Sequence, residues 1–167
     1  MRFLFVWCLL LAAIAPVAAD TLRGVVFVVI DGDTVLFKPD HDSPASHAFL
    51  KIRLADIDAP EKDQAYGDVA TRTLTALLLN QPVEVNTVAT DVYGRTIAHI
   101  QLGTLPVNTE LVRRGVAWAS GQRRNTALKE AQREARLARR GLWQDAAPTP
   151  PWVWRRAHAA SDSVLNR

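Results

Sequence analysis

The sequence predicts an α+β fold that is mainly β: a five-stranded barrel with about three helices packed on it. Three observations predict it. Valine-rich or alternating segments crowd the first half of the chain, helical periodicity appears only after Pro60 and again beyond Asn108, and tight-turn signals such as Asp-Gly and Tyr-Gly separate neighbouring strand segments.

Residues 22–30 are rich in valine, residues 34–37 follow an Asp-Gly turn, and residues 49–57 alternate apolar with polar side chains through Lys51 and Arg53. These read as three consecutive antiparallel strands. Residues 38–47, with two prolines among scattered polar groups, read as a surface loop. A helix is expected over 68–80, with Leu74, Leu77 and Leu78 on one face. Residues 83–88 and 96–102 form a second strand pair joined around Tyr93-Gly94. A short helix follows, with Asn108 as its N-cap, Leu111 and Val112 buried, and Gly115 as its stop. The last helix is expected over 127–140, burying Leu128, Ala131, Ala135 and Ala138 and ending at Gly141. An OB-fold is the best-known barrel of this description, although the same pattern fits other small α+β arrangements.

The N-terminus carries Arg2, an apolar run over 3–15, Pro16 and then Val17-Ala18-Ala19. That run is short for a membrane span and has the layout of a secretory signal peptide, so cleavage after Ala19 is expected, with export to a periplasm or the medium. The single cysteine, Cys8, lies within this segment, so the mature fold is expected to rest on its core without disulfides. Residues 20–145 then form one domain, and residues 146–167 a Pro/Trp/Arg tail expected to fray beyond Ala157. In that tail Trp152 and Trp154 stand beside Arg155 and Arg156; they either pin the tail to the domain or stack on bases.

The mild net charge of +3 hides an asymmetry. Residues 20–112 hold 7 Lys and Arg against 13 Asp and Glu, whereas residues 113–156 hold 11 against 3. Such a division suits a polyanionic partner, with cations held in the acidic half and phosphates facing the basic half; it suits a solvated arginine-rich helix equally.

Three short segments carry the chemistry. Asp31 and Asp33 lie in Ile30-Asp31-Gly32-Asp33-Thr34, Arg53 precedes Asp58-Ala59-Pro60-Glu61, and Arg95 ends Tyr93-Gly94-Arg95. Carboxylates that converge on a hard cation, another free to handle water, and two guanidiniums to grip an anion are what metal-assisted phosphodiester hydrolysis needs. Ca²⁺ takes six to eight oxygens, more than two carboxylates supply, so water and a backbone carbonyl must complete its shell. Pro60 restricts Ala59 to an extended conformation, which could turn the Ala59 carbonyl towards the ion. Arg53 lies five residues before Asp58, on the opposite face of a regular strand unless the chain bends near Asp56. Each motif taken singly also reads as an ordinary turn or helix start.

From Val25 to Trp143 the chain resembles the staphylococcal (micrococcal) nuclease family, also called thermonucleases. The motifs above carry the resemblance, together with Asn108-Thr109-Glu110-Leu111-Val112-Arg113-Arg114-Gly115. It implies an OB-fold with three helices and Ca²⁺-dependent hydrolysis of DNA and RNA to 3′-phosphates; a monomer that prefers single strands is expected. It further implies that Asp33, Asp58 and the Ala59 carbonyl hold Ca²⁺, that Glu61 activates or positions the attacking water, and that Arg53 and Arg95 bind the scissile phosphate. Tyr93, Arg123 and Arg124 are the expected substrate-binding residues. The chain departs from the family's best-studied member in carrying Ala59 for threonine, Val92 for lysine, and Trp118 and Gly121 where a second tyrosine is expected. A catalytically inactive OB-fold module that binds single-stranded nucleic acid is the alternative, and an envelope protein that binds Ca²⁺ only for stability is a third.

Overall fold

The computed structural model describes residues 21–40, 48–120 and 125–165. Nine strand residues open it as β1 (Thr21–Val29), followed by β2 (Thr34–Pro39), β3 (Leu50–Leu54) and the two-residue β4 (Ile57–Asp58). Helix α1 (Gly67–Leu78) leads to β5 (Pro82–Thr90), β6 (Thr96–Leu102) and β7 (Leu105–Pro106). Helix α2 (Val107–Arg113), β8 (Trp118–Ala119), α3 (Thr126–Leu137), a 3₁₀ turn (Gly141–Gln144) and α4 (Pro151–Leu165) complete the described chain.

Strands β1, β2, β3, β5 and β6 close into a five-stranded barrel. All neighbours are antiparallel except β3 and β6, whose parallel pairing of Ile52 with Thr96 and Leu54 with Ala98 shuts the cylinder. Bulges at Val26/Val28 in β1 and Thr87/Ala89 in β5 supply the bending that closure needs. Val26, Val35, Phe37, Ile52, Val85 and Ile100 fill the interior. Helix α1 lays Ala70, Leu74 and Leu78 against them, with Leu77 partly buried. Helices α2 and α3 add Leu111, Val112, Leu128 and Ala131. A smaller cluster joins Trp118, Ala135, Leu142 and Trp143. Among the described residues no helix is long and apolar enough to cross a membrane.

This is the α+β, mainly β barrel that the pattern predicts, and it differs in five local respects. The long third strand is interrupted: Asp56 adopts a left-handed conformation (φ 60°), splitting the segment into β3 and β4. Asn108 does not cap α2; Pro106 stands at the N-cap, and Asn108 is buried within the first turn with its amide turned to the barrel. Helix α3 ends at Leu137, before Gly141, because Arg139 takes the left-handed position (φ 49°) and the Arg140 amide reaches back to the Ala135 carbonyl. Ala138 is consequently exposed. Residues 151–165 of the expected tail form a fourth helix, α4, where about three helices and fraying beyond Ala157 are expected.

Candidate active site at the barrel mouth

The β1–β2 loop brings the first carboxylate into place. Asp31 Oδ1 accepts a hydrogen bond from the Asp33 amide (3.0 Å), and the Ile30 amide donates to the Thr34 carbonyl (2.8 Å), which makes the loop tight. Gly32 serves there by its missing side chain: its φ is not positive, but a Cβ would lie 2.6 Å from the Ala59 Cβ and 2.7 Å from the Ala70 Cβ. The loop therefore sits directly on the Asp58-Ala59 segment and on α1. Asp33 is 6% exposed, its Oδ2 accepting from the Ala59 amide at 2.7 Å and its Oδ1 from the Thr34 hydroxyl at 3.1 Å.

The turn at Ala55-Asp56 resolves the geometry of Arg53 and Asp58. Five residues apart on one regular strand they would face opposite ways; the left-handed Asp56 resets the alternation and both point into the mouth. Arg53 bridges the two buried carboxylates, with Nη1 3.0 Å from Asp33 Oδ2 and Nη2 2.8 Å from Asp58 Oδ1. Its Nη1 also donates to the carbonyls of Leu54 (3.1 Å) and Ile57 (3.0 Å), so the guanidinium is locked to the same turn. Burial pushes the Asp33 carboxyl up to about 7; nearby Asp31 and Asp58 add to the rise, while Arg53 and the Ala59 amide oppose it.

Glu61 stands at the rim, with its side chain 39% exposed. Gly67 at the start of α1 lets the Glu61 carbonyl lie against it, where any Cβ would collide. Across the mouth, the β5–β6 turn presents Arg95, whose Nε donates to Asp91 Oδ2 at 2.7 Å. Desolvation of Asp91 is outweighed by hydrogen bonds from the Arg95 amide, the Arg95 side chain and the Tyr93 amide, which hold its pKa below the ordinary range. The Arg95 Nη groups make no hydrogen bond to a described residue. Tyr93 is 81% exposed beside them, its ring centroid 5.5 Å from the Arg95 guanidinium carbon.

Asp33, Asp58, Glu61, Arg53, Arg95 and Tyr93 thus line one cleft of about 400 Å³. Arg123 and Arg124 lie outside the described residues. The residue that sequence reasoning did not place in the site is Arg155 of α4, which enters the same cleft and bonds both Asp58 and Glu61. Its signal was the Trp-Val-Trp-Arg-Arg segment, but nothing local in that segment points to a partner 97 residues earlier.

The donor set suits a hard cation. Two buried carboxylates share one bridging arginine, all available ligand atoms are oxygens, and a carboxyl raised by burial is kept ionised when positive charge is supplied beside it. Among the described residues no cluster of three or more His, Cys, Asp or Glu is arranged to enclose an ion.

The fold and mouth define a closed α+β barrel with an acidic, arginine-rimmed cleft, and comparison with known proteins gives the family. Residues 51–145 match the model of the staphylococcal nuclease homologue family. An uncharacterized endonuclease of Escherichia coli O157:H7 is 37% identical over 155 residues, covering 92% of each chain. A micrococcal nuclease of Shigella flexneri is 37% identical over 154 residues, covering 85% of this chain and 84% of its own. An uncharacterized endonuclease of Haemophilus influenzae is 39% identical over 108 residues, covering 64% of this chain and 61% of its own. The chain belongs to the staphylococcal nuclease family.

Proposed function

We propose that this protein is an exported, calcium-dependent nuclease that hydrolyses DNA and RNA to 3′-phosphate products, acting as a monomer and preferring single strands. The observation that carries the reading is the convergence of Asp33, Asp58, Glu61, Arg53 and Arg95, drawn from three separate segments, into one cleft. Export rests on the apolar run over 3–15 and the small-residue stretch Val17-Ala18-Ala19, which lie outside the described residues.

In this reading Asp33 and Asp58, with the Ala59 carbonyl, hold the cation. Bound there, Ca²⁺ supplies Lewis acidity that neutralises charge building on a phosphoryl oxygen. Glu61 takes a proton from water as its oxygen attacks phosphorus, and the bond from phosphorus to the 5′ oxygen breaks. That oxygen takes a proton from solvent water and leaves as a 5′-hydroxyl, and the phosphate stays on the 3′ side. Arg53, fixed at the turn, and Arg95, with both Nη groups unpaired among the described residues, present forked donors to the phosphate oxygens as their charge grows. Tyr93 at the rim offers an exposed ring beside the Arg95 guanidinium.

Digestion of single-stranded DNA and of RNA, each with Ca²⁺ and with excess chelator, tests the reading. Hydrolysis is expected with Ca²⁺, none with chelator, and no replacement by Zn²⁺, which prefers nitrogen and sulfur ligands in a tetrahedral shell. Undiminished activity in chelator would overturn it.

A further inference from the structure

Helix α4 is tied to the segment carrying Glu61 in three places. Buried Gln64 accepts from the Glu61 amide through Oε1 (3.1 Å) and donates through Nε2 to the Thr149 carbonyl (2.6 Å). One side chain thus joins the Glu61 backbone to the chain just before the helix. Trp152 in the first turn meets Trp118 edge-on at 5.6 Å between centroids, and Trp118 is the β8 partner of Asp58. Pro151 is buried at the first helical position, where its lack of an amide is harmless. From this base Arg155 reaches into the cleft, with Nη1 2.7 Å from Glu61 Oε1 and 3.2 Å from Asp58 Oδ1, and Nη2 2.8 Å from Asp58 Oδ2.

A planar guanidinium bonded to two carboxylates fixes each relative to the other. Glu61 needs this more than Asp58, which is buried and already held by Arg53. A half-exposed glutamate otherwise samples several rotamers. Arg155 restrains Oε1, and Oε2 makes no hydrogen bond to a described residue, so one oxygen is anchored and the other is open to water. At 47% and 39% exposure, the Arg155–Glu61 contact makes a small, measurable contribution to stability, and its main consequence is orientation.

We propose that Arg155 is a positioning residue for Glu61, delivered from the C-terminal helix, so that α4 is part of the catalytic apparatus. The proposal rests on the role of Glu61 in the nuclease reading. Its test is a double-mutant cycle of wild type, R155Q, E61Q and the double variant, each checked for folding by circular dichroism. R155Q is expected to lower kcat by about 10- to 100-fold with KM changed less than about threefold, since orientation of the base acts on the chemical step. In the E61Q background the same substitution should change the residual turnover less than about twofold, because groups acting as one unit are not additive. R155K, which keeps the charge and loses the fork, should fall between wild type and R155Q.

Denaturation of the same four proteins in chelator reads the contact without turnover. There R155Q should change the midpoint by different amounts in the two backgrounds. That measurement stands even if no nucleic acid is hydrolysed, so loss of the nuclease reading is distinguishable from loss of this one. A folded R155Q with unchanged kcat, a rise in kcat, a rise in KM alone, or an equal loss in both backgrounds would each overturn the assignment. Identical denaturation shifts in both backgrounds would overturn the contact on which it is built.

Discussion

At the scale of single residues, the mouth of the barrel sets one carboxyl against its ordinary chemistry. Asp33 is raised to about 7 chiefly by burial, against 3.8 for an unfolded aspartate. The folded protein therefore binds a proton there more tightly than the unfolded chain between those two values. Stability from this group is full below about pH 4 and is lost as pH rises towards 7. In chelator, the denaturation midpoint should fall progressively as pH rises from about 4 towards 7 and level off above that. D33N should flatten the profile, and saturating Ca²⁺ should flatten it too by holding the ionised form. A profile of unchanged slope in D33N would assign the titration elsewhere. Arg95 gives the complementary prediction. A lysine could keep the ion pair with Asp91 but has no second and third nitrogen for a phosphate. R95K should lose about 10²–10³ in kcat, the usual effect of removing a transition-state donor, with a melting temperature close to wild type. Near-normal turnover would reduce Arg95 to a turn residue.

At the scale of elements, Asn108 shows how a local rule can select the right residue for the wrong reason. Its position before an apolar run marks an N-cap, yet its amide accepts from the Ile100 amide (3.0 Å) and donates to the carbonyls of Ala55 (2.9 Å) and Ala98 (3.3 Å). It thereby clamps the turn between β3 and β4 onto β6, the same turn whose left-handed Asp56 brings Arg53 and Asp58 to one side. N108A leaves buried backbone groups unpaired and should cost about 3 kcal/mol; at about 2–4 °C per kcal/mol for a domain of this size the melting temperature falls by about 10 °C. Turnover measured well below that temperature should fall as well, because the clamp aligns the site; a destabilised variant with full turnover would separate the two roles. The strands, α1 and the three acidic and basic motifs were legible because each is written in neighbouring residues: alternation, periodicity, a turn dipeptide. A bend near Asp56 was legible only as an alternative to a regular strand, and the inward turn of Asn108 and the left-handed Arg139 were not, since tertiary contacts select among backbone states that the local sequence allows. Arg155 was hidden for the same reason on a larger scale: its partners are distant in the chain, and only the docking of Trp152 and Gln64 brings α4 to them.

At the scale of the whole molecule, the charge asymmetry is smaller in space than along the chain. Arg113 and Arg114 both pair with Glu110, Arg133 pairs with Glu130, Arg155 pairs with Asp58 and Glu61, and Arg136 lies over the Trp143 ring at 4.2 Å. Most of these ion pairs lie three or four residues apart on one helix, so much of the basic half is neutralised locally. Arg139 and Arg140, exposed beyond the end of α3, are in no ion pair among the described residues, Arg140 donating only to the Arg113 carbonyl (3.2 Å); with Arg123 and Arg124, which lie outside the described residues, they are the candidates tested for contact with distant phosphates. Replacing these four with Gln should weaken binding to a long single strand and flatten its salt dependence. Each lost phosphate contact should reduce the log–log slope by about 0.7. Turnover at saturating substrate should stay within about twofold of wild type, because contacts remote from the scissile bond bind ground and transition states alike. Binding measured across a salt series for wild type and the fourfold variant decides the matter. Superimposable slopes would mean that recognition is confined to the cleft itself, and that the arginines flanking α3 make no contact with substrate.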